Sequence, residues 1–507
     1  MRLWARVGLR AADKAGPRRT AIGGVLAGLV GLGLAGQARA ETLGEAIALA
    51  YESNPTLQAQ RASLRALDET YVQAEAGYRP SATLQATVTT DTNNNTGTLT
   101  RPLPGLNQPV VNGQSQTSGA AIGISQPLYT GGRVASQVSA AEAEIQAGRE
   151  TLRGTEETIL RYVITAYADV RRDRQIVTIL EDDVKLLLAQ QTESHARFEV
   201  GEITRTDVAE TEARVAAAQA QLEGARAQLN NSIAVYASII GHAPGDLTPE
   251  PPLASHLPPS LDTALDWVEH NSPVIRQADF AEAASAAKLA GAKTQTRPTL
   301  SLQATMGYSG GSYQMATPFA HYSHDVTASA VATFPIFNGG LTSSQIRQAA
   351  ETNNADRIGI ETARRQALLT LSQAWNALTG ARASLEADEA QVRAANIAFE
   401  GARQESRVGL RSTLDVLIAE ENLSSAQLSL VGARHDEYVA AANVLAATGT
   451  LFAEDFAPDA RLYDPRANLA HVRRAWPWTP WTPAVAGLDR IDPLRDRPAR
   501  ETPPRGP

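Results

Sequence analysis

The 507-residue chain contains no cysteine, and aromatic side chains make up only 5% of it. The absence of cysteine excludes disulfides, thiolate nucleophiles and cysteine-ligated metal sites. The sequence also lacks a G-x-S-x-G nucleophile motif and a G-x-x-x-x-G-K-S/T phosphate loop. A formal net charge of −8 disfavours nucleic acid as a partner. We therefore predict a protein that is not an enzyme, with no catalytic residue, cofactor, metal site or nucleic-acid partner.

Long apolar runs are missing after residue 40. The N-terminus begins with a basic segment, continues with an apolar run over 21–36 and ends in Ala-Arg-Ala at 38–40. This order is typical of a secretory signal peptide, and we expect cleavage after Ala40. A membrane anchor is the alternative, which the short, glycine-rich run disfavours. No later run approaches the ~20 apolar residues of a spanning helix, so any membrane span must consist of strands.

Several short motifs occur twice in the chain. V-G-x5-D-V recurs 208 positions on, a segment ending in Gly-Gly recurs at the same offset, and R-P-x4-Q-A-T recurs 218 positions on. Two tandem repeats, 41–250 and 251–452, follow from this. The ten-residue difference falls in a polar loop between Pro80 and Pro127. The paired segments are VGEITRTDV (200–208) with VGLRSTLDV (408–416), QPLYTGGR (126–133) with FPIFNGGL (334–341), and RPSATLQAT (79–87) with RPTLSLQAT (297–305).

Each repeat predicts the same order of helix, strand, strand and very long helix. The strand segments show a period-two alternation of apolar and polar residues. The long helical segments contain no proline, carry apolar residues at close to heptad spacing and would each be ~100 Å long. We predict strands at about 81–90, 119–129, 299–308 and 325–337, long helices at about 133–200 and 341–408, and shorter helices at about 43–78, 204–240 and 261–296.

Residues 453–507 lie outside both repeats and include the segment WPWTPWTP at 476–483. Segments rich in proline sustain neither a helix nor a central strand. We therefore expect this Pro- and Trp-rich C-terminal tail to be extended or disordered.

Four strands are too few to close a barrel, and open strand edges cannot face lipid. If the hairpins lie in a membrane, several chains must therefore pool their strands, with two copies giving eight and three giving twelve. The long polar helices would project into an aqueous compartment. A barrel with a helical tube attached is an export duct by its geometry. The alternative is an exported coiled-coil scaffold or adhesin whose hairpins lie outside the membrane.

Over residues 41–452 the order of elements, the Gly-Gly pair, the paired V-G-x5-D-V turns and R-P-x4-Q-A-T resemble the TolC family of outer-membrane efflux and secretion proteins. The resemblance implies a mainly α fold with a β-barrel. It implies a homotrimer with a twelve-stranded barrel in outer-membrane lipid and a helical tunnel in the periplasm. It also implies two partners, a periplasmic adaptor (membrane fusion) protein and an inner-membrane RND or ABC transporter. Small molecules and secreted proteins both remain open as cargo.

The V-G-x5-D-V turns first suggest structural roles. Gly201 and Gly409 lie where each long helix should stop, since glycine is the common residue just past a helix C-terminus. Thr204 and Ser412 precede Asp207 and Asp415 by three residues, a capping-box spacing that starts the next helix.

The resemblance implies that these turns are also the periplasmic gate. It implies that Arg411 ties to the pair Thr206 and Asp207, and that Asp415 lines the constriction. Glu210, one turn after Asp207, is a candidate for a further acidic layer. Two positions depart from the family pattern, since Ser406 replaces a tyrosine and Ile418 replaces a second aspartate. We therefore predict a gate that is held closed by fewer side-chain contacts and that binds multivalent cations more weakly.

Overall fold

The computed structural model describes residues 40–93, 113–313, 322–458, 460–475 and 479–490. The predicted signal peptide, apart from Ala40, lies outside the described residues. So do much of the polar loop of the first repeat and Trp476 and Trp478 of the tail. Each repeat contains two short helices, two strands, a very long helix and a shorter one. The first repeat comprises α1 (Leu43–Ser53), α2 (Pro55–Glu75), β1 (Ser81–Asn93), β2 (Gly113–Tyr129), α3 (Arg133–Glu199) and α4 (Arg205–Ile240). The second comprises α5 (Leu261–Asn271), α6 (Pro273–Thr294), β3 (Thr299–Tyr313), β4 (Tyr322–Thr333), α7 (Leu341–Arg407) and α8 (Thr413–Thr448), followed by α9 (Ala467–Ala475) and α10 (Thr482–Arg490).

The helices expected at 43–78 and 261–296 are each broken in two, before Pro55 and before Pro273. The residue before each proline, Asn54 or Ser272, has ψ near 120°, outside the helical region. The proline ring disfavours helical backbone at the preceding residue, yet suits the first position of a new helix. The Asn54 side chain also accepts a hydrogen bond from the N–H of Thr56 at 2.9 Å, capping α2. The apolar periodicity continues across both breaks and so concealed them.

The strands form one antiparallel sheet in the order β1-β2-β3-β4. Its register places Ser81 opposite Ser125, Ser125 opposite Gln303, and Gln303 opposite Ser329. Within the described residues, β1 and β4 each have a neighbouring strand on one side only. Apolar side chains on these edge strands are highly exposed, with Val88 at 67% and Val326 at 69%. The sheet of one chain therefore leaves both its edges and much apolar surface uncovered.

Strand β4 ends at Thr333, four residues before the predicted end. Phe334, Ile336 and Phe337 follow in unpaired, exposed backbone. The matching residues of the first repeat, around Pro127, remain in β2 because β3 lies beside them. No strand of the described chain lies beyond β4, and Pro335 has no N–H to offer one. The prediction of strand over 334–337 is therefore wrong for the single chain.

The long helices pair along their whole length. Helix α3 lies beside α2 and α6 over its first half and beside α4 over its second half, while α7 lies beside α6 and then α8. Ion pairs join α3 to both kinds of partner, from Lys288 Nζ to Glu144 Oε1 at 2.6 Å and from Arg226 Nη2 to Glu181 Oε1 at 2.8 Å. Contacts between α3 and α8 join the two helical hairpins, α3–α4 and α7–α8.

The main core lies where the two repeats meet, at mid-length of the long helices. Tyr167 and Tyr236 are fully buried in it, and the Tyr167 hydroxyl lies 2.7 Å from the carbonyl of Thr248. Each buried leucine-sized side chain stabilises such a core by about 2 kcal/mol. A smaller cluster nearer the far ends of the helices joins α3, α4 and α8, with Leu180, Val184, Leu187, Val215, Ala218, Leu222 and Leu417. A second small cluster there joins α3, α7 and α8 through Leu186, Phe399, Ala402 and Val416, so the far ends are held together by small clusters rather than by an extended core.

The described part of the tail contains helices, which corrects the expectation of an extended or disordered segment for residues 453–458, 460–475 and 479–490. Helix α10 lies against β2 and the start of α3. Asp489 is 2% exposed and accepts hydrogen bonds from the N–H groups of Thr130 (2.6 Å) and Gly132 (3.1 Å) and from the hydroxyl of Tyr78 (3.2 Å). Its carboxylate thus supplies the acceptor and the negative charge that the N-terminus of α3 requires.

We predict that Asp489→Ala releases α10 from the first repeat. The substitution leaves buried N–H donors unpaired, and hydrogen bonds to charged groups each contribute about 1.5–3 kcal/mol. Limited trypsin digestion should then cut faster at Arg490, the last residue of α10. Asp455→Asn, at an exposed position of the same tail, is the matched control and should digest as the unsubstituted protein does. Equal digestion of both variants would contradict the role of Asp489.

Candidate gate at the helix tips

The long helices α3 and α7 end in two turns of the same design. Gly201 and Gly409 have φ of 78° and 75°, in the left-handed region that favours glycine. In each turn the glycine N–H donates to the carbonyl three residues before it, at 2.9 and 3.0 Å. The next N–H donates to the carbonyl five residues before it, at 2.9 Å in both turns. Nothing lies within 4 Å of the position of an added Cβ, so the backbone conformation alone demands glycine.

Both predicted capping boxes are confirmed. The Thr204 N–H donates to Asp207 Oδ2 at 2.8 Å, and the Asp207 N–H donates to Thr204 Oγ1 at 3.4 Å. In the second turn the Ser412 N–H donates to Asp415 Oδ2 at 3.1 Å, and the Asp415 N–H donates to Ser412 Oγ at 3.2 Å. Each threonine or serine hydroxyl also donates to the same carboxylate oxygen, at 2.9 and 2.7 Å.

These bonds hold both carboxylates in the charged form. Hydrogen bonds from the backbone and hydroxyl of Thr204 lower the pKa of Asp207. Hydrogen bonds from the hydroxyl and backbone of Ser412, together with the charge of Arg411, lower the pKa of Asp415. A lowered pKa means that the caps stabilise the turns above the ordinary carboxyl pKa and weaken as the pH falls through the lowered value. Each tip therefore carries a fixed negative charge at neutral pH.

Arg411 pairs with a residue that the sequence reasoning missed. Its Nε lies 2.6 Å from Glu405 Oε2, and both side chains are about half exposed. Within the described chain no hydrogen bond or ion pair joins Arg411 to Thr206 or Asp207. Glu405 lies six residues before Arg411, across the turn, a spacing that carries no helical pairing signal.

The remaining candidate residues surround the two turns. Thr206 is exposed at the start of α4, and Glu210 is half-buried one turn later. Ile418, at the position where the family pattern has an aspartate, is 44% exposed, so an apolar side chain projects there. Ser406 lines a cavity of about 130 Å³ between α3, α7 and α8, together with Leu186, Ala189, Gln190, Glu193, Ser194, Arg197, Phe399, Arg403, Arg407, Thr413 and Val416. The single chain thus brings the candidates to one end of the molecule, on two separate turns.

The described residues contain neither a membrane-spanning helix nor a cluster suited to a metal ion. None of the helices in these ranges has both the length and the apolar character needed to cross a membrane. No group of three or more His, Asp or Glu side chains among them is placed to hold a metal ion.

The chain matches a known protein family over most of its length. A family model described as "Outer membrane efflux protein" matches residues 46–242 and 265–450, most of the chain. This chain belongs to the outer membrane efflux protein family. The two matched segments correspond to the two repeats. As a member of this family, the chain is an outer-membrane export duct, and the resemblance to the TolC family is confirmed.

Individual relatives agree with this assignment. Outer membrane efflux protein BepC of Brucella suis biovar 1 is 32% identical over 452 residues, covering 88% of this chain and 94% of that protein. Outer membrane protein TolC of Escherichia coli strain K12 is 24% identical, covering 84% of this chain and 86% of that protein. Among solved structures, the open state of the Neisseria gonorrhoeae MtrE outer membrane channel has the same fold. Its TM-score is 0.66 at 21% identity, covering 81% of this chain and 91% of that chain.

We predict that Gly409→Ala loosens the second tip turn. A side chain in the left-handed conformation costs about 1 kcal/mol, which corresponds to about a fivefold increase in local opening. Hydrogen exchange of the amides in 410–416 should therefore accelerate about fivefold.

The matched control is Gly432→Ala in the interior of α8, where an added Cβ also meets nothing within 4 Å. Alanine is favoured over glycine inside a helix, so exchange around 432 should slow or stay unchanged. Unaltered exchange at 410–416 in Gly409→Ala would show that the turn does not depend on this backbone conformation.

Proposed function

We propose that three copies of the chain form one passive duct, with a twelve-stranded barrel in the outer membrane and a gate at the periplasmic helix tips. The observation that carries the proposal is that the two sheet edges, β1 and β4, have no further strand beside them in the described part of the chain. Unpaired backbone groups cost several kcal/mol each in lipid, and only closure of the sheet removes its edges. Copies arranged around an axis satisfy β4 of one chain with β1 of the next.

The internal repeat supports a specific register for that junction. Strands β2 and β3 meet with Ser125 opposite Gln303. A residue of β2 corresponds to the β4 residue numbered 208 higher, and a residue of β3 corresponds to the β1 residue numbered 218 lower. Thr333 of one copy would then lie opposite Gln85 of its neighbour. The same junction would give the exposed residues after Thr333 a neighbouring chain.

At the tips, symmetry would bring three copies of Asp415 towards one axis. Carboxylates brought close together repel, so a closed ring needs neighbouring cations. The Arg411 guanidinium has two alternative partners. One is Glu405 in its own chain, and the other is the Asp207–Thr206 pair implied by the family resemblance. We infer that exchange of the guanidinium between them separates the open state from the closed state. The Glu405 pair seen here represents the released arrangement.

We propose that the gate is opened by a periplasmic adaptor protein. The cavity lined by Ser406 lies beside the tips and carries both signs of charge, with Glu193, Arg403 and Arg407 on its walls. A helical tip of complementary charge inserted between α3 and α7 would separate the two helical hairpins. Glu210 would add an acidic layer just inside the mouth, next to the ring formed by Asp415.

The energy for transport would come from an inner-membrane RND or ABC transporter. Relatives of this chain include Alkaline protease secretion protein AprF of Pseudomonas aeruginosa and Toluene efflux pump outer membrane protein TtgC of Pseudomonas putida. Small molecules and secreted proteins are therefore both represented among the relatives. The chain itself does no chemistry in this proposal.

Export would precede assembly, with the signal peptide removed after Ala40. The structure supports a mature chain that begins at Glu41. The Glu41 N–H donates to the carbonyl of Asp246 at 2.6 Å, and its carbonyl accepts from the N–H of Thr248 at 3.0 Å. An amino terminus created at Glu41 could keep both bonds.

We predict opposite effects for the two partners of the lock in single-channel recordings from planar bilayers. Arg411→Ser removes the cation that closes the ring, so conductance should rise. Glu405→Gln removes its competing partner, so conductance should fall. An exposed ion pair contributes up to about 1 kcal/mol, which sets the expected change at about twofold to fivefold. Asp415→Ala should lower cation selectivity and relieve block by multivalent cations.

Arg382→Ser is the matched control, because it removes the same charge from an exposed pair with Glu437 (3.3 Å), far from the tips. Its conductance should equal that of the unsubstituted protein. A conductance that ignores Arg411→Ser would remove that residue from the gate. A trimer without channel activity would overturn the duct and favour the scaffold.

A further inference from the structure

A buried glutamate lies between the two helical hairpins, close to the proposed gate. Glu420 is on the face of α8 that also buries Val416 and Leu417, and it is 4% exposed. Neither of its carboxylate oxygens has a hydrogen-bond partner in the described part of the chain. Burying an ionised carboxylate without a donor is strongly unfavourable. The position is one that the helix pattern would assign to an apolar side chain.

The groups around Glu420 do not compensate its charge. The carboxylate of Asp183 on α3 repels a charge on Glu420. The positive charge of Arg403 on α7 favours that charge, but it offsets the burial and the repulsion only in part. Other charges nearby are already paired, since Arg214 of α4 lies 2.5 Å from Glu421 and Arg434 of α8 lies 3.8 Å from Glu389. Burial, reinforced by the charge of Asp183, raises the pKa of Glu420 to about 8.

Two cavities of about 490 and 230 Å³ flank this glutamate, and both are lined by Asp183 and Glu420. The larger lies between α3, α7 and α8, and the smaller between α3, α4 and α8. Such cavities are large enough to hold several water molecules. A small separation of α8 from α3 would therefore hydrate the carboxylate and remove the penalty of ionising it.

A second titratable group joins the same two helices further along. The His435 side chain is 10% exposed, with Nε2 at 2.9 Å from Asp169 Oδ1 on α3 and Nδ1 at 2.9 Å from Asp436 Oδ1. Burial lowers the pKa of His435, and the charge of Arg172 acts in the same direction. The contacts to Asp169 and Asp436 outweigh both and raise it above its usual value. The protonated imidazole therefore bridges α8 to α3.

We propose that the α3–α8 seam, formed by Asp169, Asp183, Glu420 and His435, is a proton-dependent clasp that holds the two helical hairpins together when Glu420 and His435 are protonated. As pH rises, His435 loses its charge and the ion pair to Asp169. Over the same change Glu420 gains a charge that the closed seam cannot solvate. Both effects have the same sign, so the closed seam weakens as pH rises from about 4.5 to about 8 and stays weak above that.

The link between this clasp and the gate rests on the proposed function. Glu420 follows Asp415 by five residues, ~7.5 Å along the axis of α8. Separation at Glu420 would therefore move the tip turn that carries Arg411 and Asp415. Low pH would favour the closed tips, and neutral to alkaline pH would lower the work that an opening partner must supply.

The clasp can be tested without any channel measurement. Because the chain has no cysteine, Thr192→Cys on α3 and Asn422→Cys on α8 place two spin labels at exposed positions on either side of the seam. Pulsed electron paramagnetic resonance on the full-length protein, in chelator-treated buffer, then reports the distance between the helices. We expect the population at longer distance to increase at least about tenfold between pH 5.5 and pH 8.5. A difference of only one unit between the pKa of Glu420 in the closed seam and in the separated seam already implies a change of about that size.

Three variants distinguish the clasp from general effects of pH. Glu420→Gln replaces the carboxyl group by an amide of the same size that cannot ionise. Most of the pH response should therefore vanish, and the short distance between the labels should persist at pH 8.5. His435→Asn should shift the population towards the longer distance already at pH 5.5. Glu386→Gln, at an exposed position on α7, is the matched control and should keep the full response. A full pH response in Glu420→Gln would overturn the clasp.

The outcomes separate this inference from the proposed gate. Distances that do not change with pH in the otherwise unsubstituted labelled protein overturn the clasp, whatever the conductance. Conductance that ignores Arg411→Ser overturns the gate, whatever the distances.

Discussion

The outer edges of β1 and β4, which no described residue pairs, are the constraint on which the proposed assembly depends. Four antiparallel strands with exposed apolar side chains cannot satisfy their own edges, and lipid offers no hydrogen bonds in return. In the proposed trimer each edge is completed by another copy. The same rotation places the long helices side by side and brings the six tip turns to one mouth. In that assembly, closing the barrel would also gather the proposed gate residues at one opening.

At that mouth, folding and gating would use the same atoms. Asp207 and Asp415 each accept bonds that begin a helix, which fixes a negative charge within one turn of the opening. Because these bonds stay inside their own turn, a tip can move as a unit without losing its caps. The contacts proposed to change are the one that Arg411 makes between the two turns and the one that the seam around Glu420 makes between the two helical hairpins. In the proposed gate, the small apolar clusters near the tips would allow this movement, whereas the larger main core would hold the middle of the molecule together.

Local, repeated patterns made much of this molecule predictable from sequence. Heptad spacing and the two glycines predicted the long helices and their tip turns, and the S/T-x-x-D spacing predicted both capping boxes. The breaks before Pro55 and Pro273 were missed because apolar periodicity continues across them. Long-range pairing left no local signal, so the docking of Asp489 on residues more than 350 positions away was not foreseen. The Arg411–Glu405 pair was missed because a spacing of six residues across a turn carries no pairing signal. The burial of Glu420 was missed because a charged residue is normally assigned to the exposed face of a helix.

Cross-linking of β1 to β4 tests the central claim most directly. The repeat offsets place Val88 of one copy opposite Ala330 of the next, as Met306 lies opposite Ile122 within a chain. Inside one chain these two positions are on opposite edges of the sheet, three strand spacings apart, and the register places Val88 level with Tyr322 rather than Ala330. They are therefore ~30 Å apart, beyond the reach of a disulfide. Oxidised protein carrying Val88→Cys and Ala330→Cys should therefore run as covalent trimers in denaturing gels, and the shifted pair Val88→Cys with Val331→Cys should not. Monomers from the first pair, or equal linking by both pairs, would contradict a barrel shared between copies in this register.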